Sequence, residues 1–176
     1  MGNRAVITTP EMSCGVYLHW NGGRDSVEGF LAYCRLVGHR SPTEDPTYAL
    51  ARLTQVVGNF FGGSTSVGVG AYDRLDCDNG DNGVYVAGED WRIVRRLFFR
   101  GREQREYSLW EMLRSVDEAQ TEPLGDDELL ARCKMYGYTP AELFGVPEPP
   151  VPDEEMDDEA DRMVEIMTSS DGQEDD

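Results

Sequence analysis

The chain has no apolar run near the ~18 residues that a membrane-spanning helix needs, although it is 176 residues long. Its opening, MGNRAVITT, lacks the hydrophobic stretch of a secretory leader. Met1-Gly2 suits myristoylation only in part, because Ala5 and Val6 stand where Ser or Thr is wanted, so that modification is not expected. Cysteine is sparse, at positions 14, 34, 77 and 133, and never spaced CxxC, which excludes a paired-thiolate metal motif. GxSxG, P-loop and GxGxxG strings are all missing, so no serine or cysteine has a recognisable nucleophile context. These absences point to a reduced, cytoplasmic protein with no cofactor and no membrane attachment.

Bases are the scarcest charged class. Sixteen face thirty-four acids, for a net charge of −18. Residues 148–176 hold thirteen acids and one base, a charge of −12, leaving −6 for the rest. A surface of this sign repels nucleic acid and favours a basic partner. Pro147, Pro149, Pro150 and Pro152 mark a boundary. The expectation is one domain over 1–146 and an acidic, mostly disordered tail over 147–176. Within that tail Met156, Ala160, Met163, Val164 and Met167 are spaced for a weak amphipathic helix.

The stretch VYLHWNGGRDSVEGFLAYCRLVG, 16–38, reads as strand, turn and helix. Val16, Leu18 and Trp20 alternate with Tyr17 and His19, Asn21-Gly22-Gly23 breaks the chain, and Asp25 with Glu28 suits a capping box. Val27, Phe30, Leu31 and Cys34 then follow at helical spacing. Strand 4–9 is expected to pair with 16–20 as a hairpin. Asp45 and Pro46 open a second helix that carries Leu50, Leu53, Val57 and Phe60 on one face. SVGVGAY, 66–72, is a strand with Gly68 and Gly70 on one face, where something packs closely. Segments 84–86 and 91–99 form a second hairpin. Ser108 and Glu111 cap a third helix, with Tyr107 and Met112 as its staple; a fourth spans about 127–136, and Thr139-Pro140 opens a last turn. The pattern predicts an α+β fold, an antiparallel sheet of about five strands with helices packed on one face.

Three groups of residues could carry chemistry. The loop DRLDCDNGDNG, 73–83, holds Asp73, Asp76, Asp78 and Asp81. Read from Asp78, Asn82, Gly83 and Glu89 fall where a calcium loop needs them, but Gly80 offers no ligand at the third position, so a carboxylate-capped turn is the preferred reading and no metal is expected. Asp73, Asp76, Asp78, Asp81, Glu89 and Asp90 are better read as an acidic contact surface. His19, Asn21, Arg24 and Asp25 have the residue types for anion binding or acid–base work, although a strand histidine bonded to its neighbours is the preferred reading. Arg92, Arg95, Arg96, Arg100, Arg102 and Arg105 could form a phosphate strip or a dock for the acidic tail. Glu103 and Glu106 between them, and no aromatic platform beyond Trp91, Phe98 and Phe99, favour ordinary solvated charge.

MGNRAVIT, LHWNGGRDSVE at 18–28, FFGG at 60–63 and YDRLDCDNGDNG at 72–83 resemble a family of small proteins from bacteriophages and bacterial mobile elements. The resemblance covers residues 1 to about 120 and implies a setting, not a site: accessory proteins of such elements often counter host defence. The sequence reading is therefore an acidic interaction protein that inhibits a nucleic-acid-binding defence enzyme of the host by mimicry, in the anti-CRISPR or anti-restriction manner. A small metal-dependent or hydrolytic enzyme using His19, Asp25 and the 73–83 loop is one alternative, and a scaffold with an acidic tail is the other.

Overall fold

The computed structural model describes residues 2–100, 103 and 105–145. The expected tail, its amphipathic helix, the domain boundary at 146–147 and Arg102 lie outside the described residues. The elements are β1 (Ala5–Thr8), β2 (Cys14–Leu18), α1 (Arg24–Leu36), α2 (Pro46–Phe60), β3 (Val67–Ala71), β4 (Val84–Ala87), β5 (Ile93–Leu97), α3 (Leu109–Glu118), α4 (Asp126–Met135) and α5 (Pro140–Phe144). The fold is α+β.

Local signals explain most of these elements. The Asp45 carboxylate accepts from the Tyr48 amide at 3.2 Å ahead of Pro46. Ser108 with Glu111, and Thr139 with Glu142, form complete capping boxes. At α1 the cap differs from expectation. Gly23 holds the N-cap position with no side-chain bond, and Asp25 sits within the first turn, one carboxylate oxygen committed to a distant segment. Tyr107, expected to staple α3, is instead 44% exposed.

The five strands make one sheet in the order β3-β2-β1-β4-β5. It is mixed, which corrects the expected all-antiparallel arrangement: β1 and β4 run parallel, in the register Val6↔Val84 to Thr8↔Val86. The reason is topological. The β4–β5 hairpin joins along the side of β1 that β2 leaves free, rather than outside β3. The chain leaving β3 at the edge must therefore cross one face of the sheet to reach β4.

That crossing, residues 72–83, shapes both faces. Ala5, Ile7, Val16, Leu18, Tyr85 and Ala87 belong to the large core with Phe30, Leu31 and Leu36 of α1, Leu53 and Val57 of α2, Leu113 of α3 and Leu129 of α4. Val6, Val84, Val86 and Leu97 point the other way and are covered by Tyr17, Tyr72, Leu75, Cys77 and Phe98. The glycines expected to mark a close approach sit here. Gly15 and Gly70 are partners across β2–β3, and a Cβ on them would lie 2.9 Å and 3.3 Å from Leu75 methyl groups. Leu75 packs on Gly15 and Gly70, and Tyr17 lies beside Gly68. Cys34 and Cys133 are buried and free, each on the core side of its helix. Burial pushes the Cys133 thiol up to about 11, which keeps it protonated and inert.

β2 ends at Leu18, two residues short of the expected strand. Trp20 consequently leaves the alternation and stands 46% exposed instead of filling the core. Asn21 turns the chain with φ 53°, and Gly22 passes so close to β1 that a Cβ would lie 2.6 Å from the Asn3 carbonyl oxygen. No side chain fits there.

Candidate functional site

Three of the unusual strings in the sequence meet at one end of the sheet, around residues 3 and 4. The Asn3 carbonyl accepts from the Gly22 amide at 2.8 Å, tying the NGG turn to β1. The Arg4 carbonyl accepts from the Asn82 amide at 3.1 Å, tying the DNGDNG loop to the same strand. Asn82 Nδ2 donates at 2.7 Å to Asn3 Oδ1 and at 3.1 Å to the Arg4 carbonyl. Arg4 returns the contact, its backbone amide and Nε donating to Asp81 Oδ2 at 3.1 and 2.7 Å.

The acidic loop is held from within by one buried side chain. Asn79 Oδ1 accepts from the Asp81 and Gly83 amides, both at 3.1 Å. Its Nδ2 donates to the carbonyls of Asp76 and Gly83 at 3.1 Å and of Cys77 at 3.4 Å. The backbone polar groups of an irregular segment are thus satisfied without regular structure. Asn79 is a residue that the sequence reading left aside in favour of the aspartates, and Asn82 entered it only as a calcium-loop position; the two Asn-Gly pairs were their signal.

The aspartates divide. Asp81 belongs to the scaffold. Burial favours its protonated form, but the Arg4 hydrogen bonds and charge outweigh that and hold its carboxyl below the usual range. Asp73, Asp76 and Asp78 are exposed. Asp78 meets Arg100 at 3.1 Å in an ion pair open to solvent, and Asp76 stands 3.9 Å from Arg4. Glu89 is exposed at the β4–β5 turn and Asp90 pairs with Arg92 at 3.3 Å, both outside the 73–83 loop. Among the described residues no group of three or more His, Cys, Asp or Glu side chains is placed to hold a metal ion.

The His19 group is not assembled as a reacting set. His19 is exposed, its Nδ1 3.3 Å from the Tyr17 hydroxyl and its ring edge-on to Trp20 at 5.0 Å. Asn21 Nδ2 donates to Ser26 Oγ at 3.4 Å. Asp25 is buried: Oδ1 accepts from the Ser26 amide at 2.7 Å, and Oδ2 from the Glu106 and Tyr107 amides at 2.6 and 3.0 Å. Asp25 lines a small pocket of about 190 Å³ with Asn3, Trp20 and Tyr107, and His19 does not.

Arg24 turns inward, its Nε donating to Glu103 Oε2 at 2.6 Å and its Nη1 to Glu28 Oε1 at 3.1 Å. Glu103 also draws Arg96 (3.6 Å) and Arg105 (3.7 Å). Two of the arginines expected as solvated charge in β5 and the following segment are accounted for differently: Arg96 is buried over the Tyr85 and Phe99 rings and Arg105 packs against Glu103, whereas Arg100 stays in its solvent-open pair with Asp78. What remains outward at this end is the carboxylate set on the crossing loop. No protein-family description, curated protein or solved structure matches the chain.

Proposed function

We propose that the chain is a binding module, encoded by a phage or mobile element, whose acidic loop occupies the basic nucleic-acid groove of a host defence enzyme in the bacterial cytoplasm. The observation that carries the reading is that Asp73, Asp76 and Asp78 project from a loop fixed by Asn79, while folding makes little use of their carboxylates. The exposed Asp78–Arg100 pair is of the kind worth ~1 kcal/mol or less, so a guanidinium of a partner can replace Arg100 at small cost. Fixed carboxylates also lose little freedom on binding, which favours affinity. The net charge of −18 supplies the long-range attraction.

The test is capture of partners from nuclease-treated host lysate, followed by measured affinity and DNA binding of the captured enzyme. The expected partner is a basic nucleic-acid enzyme, displaced from DNA, whose binding weakens as salt rises from about 50 to about 500 mM. Joint replacement of Asp73, Asp76 and Asp78 by asparagine should weaken it by about tenfold or more. Salt-insensitive binding to a neutral or acidic partner, or full affinity in the triple variant, refutes mimicry by this loop.

A further inference from the structure

The two edges of the sheet are not alike. β5 carries Arg95 and Arg96, follows Arg92, and pairs with β4 through a register shift at Val86/Ala87. Charge and irregularity of that kind are how a sheet edge avoids further pairing. β3, the opposite edge, reads Val67-Gly68-Val69-Gly70-Ala71 with no charge, no proline and a continuous register to β2. Val69 is 62% exposed.

The ladder fixes which backbone groups face outward. The His19 amide donates to the Ser66 carbonyl at 2.9 Å and the Tyr72 amide to the Ser13 carbonyl at 3.2 Å. Both are directly opposed pairs in the register Cys14↔Ala71 to Leu18↔Val67. Hydrogen-bonded pairs alternate in an antiparallel ladder, so residues 66, 68, 70 and 72 spend their amides and carbonyls on β2. Val67, Val69 and Ala71 direct theirs away from the sheet. Among the described residues no hydrogen bond reaches those groups.

We propose that this edge pairs with the same edge of a second copy, antiparallel and centred on Val69, joining two five-stranded sheets into one. In that register Val69 faces Val69 of the partner copy, Val67 faces Ala71, and Gly68 faces Gly70. The two Val69 residues exchange a pair of hydrogen bonds, and each Val67–Ala71 pair does the same. All three outward residues are thereby satisfied on both copies. β3 ends at Ala71, where Tyr72–Arg74 form a single 3-10 turn, so the paired segment itself carries no charge and no like charges meet within it despite the acidic composition. The two-fold axis makes the contact isologous and closed, so it ends at a dimer. A second copy fits better than a foreign strand because the uncharged strand is complementary to itself in sequence and in hydrogen bonding. A contact of one strand pair is small beside the ~1,200 Å² of a stable interface, so the dimer forms in a concentration-dependent way.

Sedimentation equilibrium of the full chain, from about 1 µM to about 1 mM, tests this. The expected result is a monomer–dimer equilibrium without larger species. Val69→Lys and Val69→Glu each set like charges across the axis and should raise the half-dimerisation concentration about tenfold or more, with thermal melting unchanged at so exposed a position. Mixing the two variants should restore a dimer, because opposite charges then meet. A monomer across the whole range overturns the proposal, as does dimerisation of either variant alone at wild-type concentration, or failure of the mixture to recover it.

Discussion

Asp25 is the side chain whose removal tests the assembly of the turn end most directly. Its carboxylate accepts three backbone amides, two of them from residues 106 and 107. Hydrogen bonds to a charged group contribute ~1.5–3 kcal/mol each, and an unpaired buried amide costs ~1–3 kcal/mol. The Ser26 amide belongs to the first turn of α1 and has no intrahelical acceptor, so water must replace Asp25 there. Tyr107 is exposed enough for water to reach its amide. Allowing for that relief, Asp25→Ala should cost ~3–5 kcal/mol, a large share of the ~5–15 kcal/mol that holds a domain of this size. Asp25→Asn keeps the shape but turns one acceptor oxygen into a donor facing backbone donors, and should still cost ~2–4 kcal/mol. Urea unfolding followed by tryptophan fluorescence reads this as a lower midpoint at unchanged slope. Amide exchange at Glu106 and Tyr107 should quicken in both variants. An asparagine variant within ~0.5 kcal/mol of wild type, with those two amides still protected, would refute the account.

Trp20 and Phe30 make a paired test of the corrected core. Trp20→Ala should cost ~1 kcal/mol or less because the ring is already half in water, whereas Phe30→Ala should cost ~3–5 kcal/mol, both read from urea midpoints. Asp81 predicts an acid limb: its folded carboxyl titrates below the unfolded value, so the Arg4–Asp81 contribution is complete above about pH 4 and lost as the pH falls further. Asp81→Asn should flatten the fall of the urea midpoint between about pH 4 and pH 2, and an unchanged limb would count against the pairing.

Elements set by neighbours in sequence were legible, and contacts set by distant chain were not. Ser108–Glu111, Thr139–Glu142 and Asp45–Pro46 announce their helices because cap and capped amide lie within one turn. Gly68 and Gly70 announced a close neighbour, but not that it is Leu75 on the crossing loop at Gly70 and only the ordinary contact of Tyr17 at Gly68. Trp20 was misplaced because alternation alone cannot locate a strand's end. Here the end is set by Gly22 packing on residues 3–5, a contact that a window of local sequence does not contain. Asp25 looked like a cap because its true partners lie 81 and 82 residues further on. The parallel β1–β4 pairing was hidden for the same reason.

The same separation of local from distant contacts bears on what the acidic face can do. A surface that worked by net charge alone would need no defined loop, since screened attraction acts over ~8–10 Å and tolerates disorder. This loop is instead fixed at its C-terminal end beside the start of β1, by Asn82 and Asp81 on residues 3 and 4, and internally by Asn79. Three asparagine and aspartate side chains are thus committed to shape, and three further aspartates are left outside it. Fixed spacing matters only where the opposing cations are themselves fixed, as along a folded groove, and not where the partner is a flexible basic segment that adapts to any acidic surface. In the proposed reading, register comes from the loop, while the −12 carried by residues 148–176 adds to the net charge. Losing that register should abolish discrimination among basic partners while leaving weak, salt-sensitive association with all of them.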